Sequence, residues 1–493
     1  MYNNVAKLTE RRKKMDKSIP QSSQQGAKVS LREKLGYACS PLTMEMLSNF
    51  ASLYMMVFFT NVCGISPAAA GTLMLLCTLW NAINDPLIGF IADNRRFNNG
   101  EKMRPYLKFF SLPVALFLVL LFWMPDLDPV MSFIYALVVF FFYDSFITII
   151  QMPTLSLPML MSDDPAQRIS INVWFTLGSN IGSIVSALAA IAIMRVFGGV
   201  AADGSVLNAR AGYRGAVVVF ALIMLAGQYI AYFSTRERVM PMNTDSAKIQ
   251  VKRLLGLLFG ERNWILNMLY ALCYVLCAQM VANSVVYFAA YVLHRPGYEQ
   301  VLAPALLISS ILSLPFVSML NKRISRRGIL ILGGVLFFLS KVPFVFFPRA
   351  LWAVFFNVIV LGVGAGLSTV GISANQAEVT DIIEWRRGYR IEGSVNAIRS
   401  LIYKGLGASV PFLLGLLMQA SGYIAPTDAM ISPEQNAATQ GVFISLFGWL
   451  PMITGALMIL LGVVIPTDRD AAKMRADKIE SQQGDASTQM QGV

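Results

Sequence analysis

One histidine and five cysteines in 493 residues leave little material for a metal centre, a disulfide framework or a histidine-dependent nucleophile. The histidine, His294, stands alone near a predicted outer loop, and no Gly-x-Ser-x-Gly nucleophile elbow accompanies it. Cys273 and Cys277 share one helix face in an apolar segment, which reads as packing rather than ligation. Charge is also scarce. Only 14% of the residues are Asp, Glu, Lys or Arg, against about 25% in ordinary soluble domains. A soluble enzyme is excluded, and a membrane-embedded enzyme lacks a candidate nucleophile, base or metal set.

What fills the chain instead is apolar: 56% of residues are hydrophobic and the mean hydropathy is +0.57. Stretches of about 20 apolar residues, enough to cross the hydrocarbon of a bilayer, recur from Met44 to Pro466. Twelve spans are predicted, near residues 43–65, 68–92, 105–125, 131–160, 168–197 and 213–234, then 262–293, 299–320, 328–348, 350–378, 391–420 and 441–465. The fold class is therefore an all-α membrane protein of two six-helix bundles, residues 36–234 and 262–466, joined by a linker at 235–261 and flanked by tails at 1–35 and 467–493. The tails are too polar to bury a core and read as disordered. The first 35 residues lack an apolar signal-peptide core, so the first span is expected to direct insertion.

The net charge of +12 could suggest a nucleic-acid partner. Its distribution argues otherwise. Lys and Arg cluster in the N-terminal segment, around Arg95–Arg104, around Arg236–Arg253 and at Lys322–Arg327, while the loops at 61–68, 125–129 and 421–440 carry none. This alternation places both termini in the cytoplasm of a bacterial-type inner membrane and predicts no nucleic-acid binding. Membrane lipid and a small solute are the expected partners, and twelve helices can work as a monomer.

Ionisable residues within spans are costly, about 2.5–3.5 kcal/mol each on insertion scales, and mark functional candidates. On span two Asn81 and Asp85 are four residues apart and share a face; on span four Asp144, Thr148 and Gln151 form a polar stripe. Two such helices facing each other would enclose a hydrophilic pocket, although a polar seam that merely glues helices gives the same pattern. Glu45 lies on span one. Lys404, midway along span eleven, is too deep to snorkel, and Asp85 is its first candidate partner across the two halves. Lys341 is expected to reach the outer interface, and Arg399 reads equally as a structural tie or a substrate contact. At the basic ends of the spans Asp93, Arg95, Arg168, Asp381, Glu384 and Glu392 are candidates for a cytoplasmic gate of breakable ion pairs.

At these residues the chain resembles the glycoside-pentoside-hexuronide:cation symporter family of the major facilitator superfamily, to which the melibiose carrier belongs. The similarity is carried by Trp80-Asn-Ala-Ile-Asn-Asp-Pro-Leu-Ile-Gly89, Gly100-Glu-Lys-Met-Arg-Pro105, Gln151-Met-Pro-Thr-Leu-Ser-Leu157, Glu378-Val-Thr-Asp-Ile-Ile-Glu384 and Tyr403-Lys404-Gly405, and extends from Leu31 to about Gly422. The resemblance implies alternating-access transport of a sugar, glycoside or uronate, with Glu45 and Gln151 at the sugar and Asn81, Asp85, Thr148 and Gln151 at the positions of the cation site; taken with the polar pattern, Glu45, Asn81, Gln151 and Lys404 are the expected substrate contacts and Asp85, Thr148 and Asp144 the expected coupling residues. It also exposes departures. The family's carboxylate-rich cation site has amides at Asn81 and Gln151, its stacking aromatic on helix four corresponds to Leu155, and its helix-five Arg is not evident near Trp174 and Phe175. Trp80, Tyr54 or Trp174 could supply another stacking surface. One carboxylate among amides beside Lys404 is a poor cage for Na⁺, so a proton is the expected coupling ion and no cofactor is expected. The alternatives are an uncoupled carrier, a carrier of an amphiphilic or lipid-like solute, and a transporter-derived sensor.

Overall fold

The computed structural model describes residues 29–94, 97, 101–162, 164–201, 205–239, 256, 258–320, 323–387, 392–426 and 433–465. Among them are twelve long helices: α1 Leu31–Val57, α2 Pro67–Asn94, α3 Arg104–Phe122, α4 Pro129–Met161, α5 Pro165–Gly198, α6 Ala209–Ser234, α7 Arg262–Tyr291, α8 Glu299–Leu320, α9 Arg326–Phe346, α10 Leu351–Arg387, α11 Glu392–Ala420 and α12 Ala437–Val464. α1 continues into a π-turn at Phe58–Val62, and a second π-turn at Ser445–Trp449 interrupts α12. Among the described residues eleven helices are long and apolar enough to span a bilayer.

Local chemistry sets the helix starts. Ser30 caps α1 by accepting from the Glu33 N–H at 3.3 Å, Asp128 caps α4, Ser325 caps α9 and Asn436 caps α12 through the Thr439 N–H at 2.7 Å. The cap at Ser30 explains why α1 begins twelve residues before the apolar span expected from residue 43. Its first turns are amphipathic rather than apolar, and Glu33 is buried there against Arg238, with Arg238 Nη1 and Nη2 each 2.8 Å from a Glu33 carboxylate oxygen.

α1 packs on α5 and α6, α3 on α4 and α6, and α2 on α4. In the second half α10 lies against α8 and α9, α9 against α12, and α7 against α11 and α12. The halves meet where α2 packs on α11, α5 on α8, and α1 on α7. At the α2–α11 seam a Cβ on Gly71 would stand 2.8 Å from the Pro411 carbonyl oxygen, and one on Gly415 only 2.1 Å from that of Pro67. Only glycine permits this approach.

Among the described residues the bonds at the two faces of the bundle differ. At the far face, opposite the first turn of α1, hydrogen bonds cross between halves: Thr60 with Tyr287 at 3.0 Å, Asn61 to Tyr291 at 3.3 Å, Tyr423 to Asn61 at 2.8 Å and the Ala68 N–H to Gln419 at 3.2 Å. At the terminal face the described pairs stay within one half. Lys34 donates to Ser170, Arg326 pairs with Glu378 at 2.6 Å, and Glu237 accepts from the N–H groups of Lys102, Met103 and Arg104 at 2.8, 2.8 and 2.6 Å. The segment after α6 is also tied to α4, the Arg238 and Val239 N–H groups both donating to the Leu160 carbonyl at 2.8 and 2.9 Å.

Candidate functional site

α1, α2, α4, α5 and α11 surround a cavity of about 340 Å³, within the size range of small-molecule sites. Glu45, Asn81, Asp144, Thr148, Gln151 and Lys404 line it together, although they come from four helices spread over 360 positions of the chain. Periodicity explains the clustering: Thr148 and Gln151 follow Asp144 on one face of α4, which turns toward the face of α2 bearing Asn81 and Asp85.

Two carboxylates organise the polar cluster around Lys404, Asp144 in the cavity lining and Asp85 just behind it. Asp85 accepts from the Thr148 hydroxyl at 3.2 Å through Oδ1 and from the Lys404 ammonium through Oδ2. This pair joins the two halves at the middle of the bundle. Asp144, 7% exposed, accepts from the Asn81 amide at 2.9 Å through Oδ1, while its buried Oδ2 has no hydrogen-bond partner among the described residues. Asp144 therefore sits inside the cavity beside the Asp85 cluster. Glu45 also lines the cavity, within hydrogen-bonding reach of Ser179 on α5, and Gln151 is exposed to it.

The stacking surfaces differ from those expected. Trp80 donates to Ser145 at 2.9 Å and stacks on Phe141, and Tyr54 is buried at the far face, donating to Glu299 at 3.3 Å. Neither Trp80, Tyr54 nor Trp174 lines the cavity; Phe140, Tyr143 and Phe175 do. Tyr143, next to Asp144 but about a third of a turn away, is not marked by the polar stripe, and Phe175 becomes a wall because α5 packs on α1.

Lys341 departs from expectation. It does not reach an interface but is fully buried within the second half, donating to Asn357 at 2.8 Å and the Phe447 carbonyl at 3.1 Å, with its ammonium over the Phe447 ring. Arg399 donates to Gln376 on α10 and lies beside the Tyr403 ring, away from the cavity lining. Of the proposed gate residues, Arg168 is held by the carbonyls of Ser162 and Met159 at 2.7 and 3.5 Å, within its own half. Arg95 and the side chains of Asp93, Asp381, Glu384 and Glu392 lie outside the described residues.

Far-face closure was not anticipated from the sequence. Thr60, Asn61, Tyr287, Tyr291 and Tyr423 close it, and Glu299, 3% exposed at the start of α8, joins through Tyr54. The signal available was the spacing of Tyr287 and Tyr291, which puts two phenols on one face of α7.

Comparison with known proteins settles the family. The profile of the family described as MFS/sugar transport protein matches residues 36–469. The chain belongs to that family. It is 27% identical to the isoprimeverose transporter of Lactiplantibacillus pentosus over 91% of each chain, and 27% identical to the glucuronide carrier protein homolog of Escherichia coli over 80% of this chain and 85% of that one. Among solved structures, a bacterial homolog of the human lysosomal transporter Spinster, inward-facing and unoccupied, superposes with a TM-score of 0.66 at 13% identity, covering 90% of this chain and 97% of the other. That likeness is one of fold. The protein is thus an integral membrane secondary transporter of the glycoside-pentoside-hexuronide symporter type, not an enzyme.

Proposed function

We propose that this transporter imports a sugar, glycoside or uronate together with a proton, by alternating access across the inner membrane with the terminal face in the cytoplasm. The observation that carries the reading is the Asp85–Lys404 pair, which bridges the halves where Lys404 lines the cavity. A charge pair shared between two moving bundles is a point where binding and conformation can be linked. Lys404 takes the place beside Asp85 that a metal cation would need, which supports a proton over Na⁺. Asp144 has a buried carboxylate oxygen without a donor, so a proton arriving there neutralises a charge that the site leaves poorly compensated. In this reading Asp144 and Asp85 form the coupling centre, Thr148 steadies Asp85, and Asn81, Glu45, Gln151 and Lys404 meet the solute's hydroxyls.

With the terminal face cytoplasmic, the far-face bonds hold the outer side shut and the cavity communicates inward. The test is proton movement in proteoliposomes on addition of sugars, glycosides and uronates. Solute-dependent alkalinisation of the outer medium, absent in Asp85→Asn and Asp144→Asn, is the expected result. Solute entry without proton movement, unaltered by both substitutions, would sink the coupling. A second feature bears on the solute: Met44, Met55, Met74, Leu155 and Phe175 also line the cavity, and this apolar lining favours glycosides with an apolar aglycone over free sugars.

A further inference from the structure

We propose that the cavity is selective by charge, taking uncharged glycosides and turning away uronates and other anionic sugars, with the Asp85–Lys404 pair as the discriminating element. The inference rests on the sugar-transport reading and narrows it. Recognition of a carboxylate calls for a cation or a fork of donors that can be spared for it. Among the described residues that line the cavity Lys404 is the one basic group, and Asp85 already holds it. The lining residues that carry a carboxyl are Glu45 and Asp144, and the Tyr143 phenol is neutral. A uronate would therefore meet two carboxyls and a neutralised ammonium.

To bind, the uronate would have to draw Lys404 away and leave Asp85 with only the Thr148 hydroxyl. Removing one partner from a buried pair is far more damaging than never having formed it. Here the side chains keep 37% and 19% of their exposure, so cavity water moderates the effect, and roughly a tenfold preference is expected instead of the hundredfold or more of a dry pair. An uncharged glycoside meets no such conflict, since Glu45, Asn81, Asp144 and Gln151 are all suited to hydroxyl groups.

The test uses matched pairs of methyl glycosides and methyl glycuronides that differ only in whether the terminal carbon is a hydroxymethyl or a carboxylate. Binding to purified full-length protein is measured by calorimetry, and exchange by counterflow in proteoliposomes, which needs no net proton coupling. The wild type is expected to bind the neutral member of a pair about tenfold more tightly. Asp85→Asn frees the ammonium and should erase or invert that preference, and the double variant Asp85→Asn/Lys404→Gln should restore rejection of the anion. Equal or tighter binding of the uronates by the wild type overturns charge selection while leaving sugar transport standing. Failure of every neutral glycoside to bind overturns both. A preference that persists unchanged in Asp85→Asn, with the variant shown to fold by its melting curve, assigns the selectivity elsewhere and overturns the role of the pair.

Discussion

The α2–α11 seam offers a direct way to bias the transport cycle. A methyl group at residue 415 would lie 2.1 Å from the Pro67 carbonyl oxygen and 3.0 Å from its carbon, where ordinary contact begins near 3.4 Å. The groups that must give way are backbone, so the two helices have to separate by more than an ångström at the far face. Overpacking of this kind costs about 1–3 kcal/mol. Because the strain is relieved when the seam opens, the same energy shifts the ratio of far-face-open to far-face-closed forms by about 5- to 150-fold. Gly415→Ala should therefore populate the open form without altering the cavity.

A cysteine at Thr60, which is buried beneath Tyr287, reports the change through its rate of alkylation by an impermeant maleimide. Replacing Cys39, Cys63, Cys77 and Cys273 with serine leaves Cys277, wholly buried inside the second half, as an internal control. Labelling at position 60 should rise at least fivefold in Gly415→Ala while Cys277 stays protected. An unchanged rate at 60 would refute the claim that glycine holds the far face closed. Equal acceleration at both positions would mean general loosening rather than gating.

Three further outcomes follow from the same geometry. Glu237→Ala removes a carboxylate that accepts from three backbone N–H groups at the start of α3, and should lower stability by about 1–3 kcal/mol in a thermal melt, with Glu237→Gln recovering part of the loss. Lys341→Met replaces a buried ammonium that has two neutral oxygen partners by an apolar chain of similar length; stability within about 1 kcal/mol of wild type and intact uptake are expected, whereas Lys341→Ala should be the more damaging change because it adds a cavity. Tyr423→Phe deletes the hydroxyl shared by Asn61 and Tyr291, and should raise far-face alkylation by a few-fold with little effect on binding in the cavity.

Most of the helix plan was legible because the bilayer imposes a length and a composition on each span. What escaped was chemistry outside that rule. The opening turns of α1 carry Arg32, Glu33 and Lys34, and only the Ser30 cap and the distant Arg238 reveal them as ordered helix. Much of the cavity was also legible, since Asn81, Asp144, Thr148 and Gln151 declare themselves as polar residues at helical spacing in an apolar setting. Aromatic residues carry no such signal in a chain where they make up 11% of the residues. Trp80 and Phe175 are indistinguishable as candidates until packing turns one toward Phe141 and the other into the cavity. Lys341 illustrates the same limit: its depth in the span was readable, but Asn357 and the Phe447 carbonyl become its partners only through the folding of α10 and α12 around it.

The segment after α6 has a mechanical consequence. Residues 235–239 are fastened to α1 through Glu33, to the end of α4 through Leu160, and to the start of α3 through Glu237. A pull arriving along the connecting chain from the second half is shared at once among three helices instead of unwinding α6 from its end. The segment works as a yoke across the terminal ends of α1, α3 and α4.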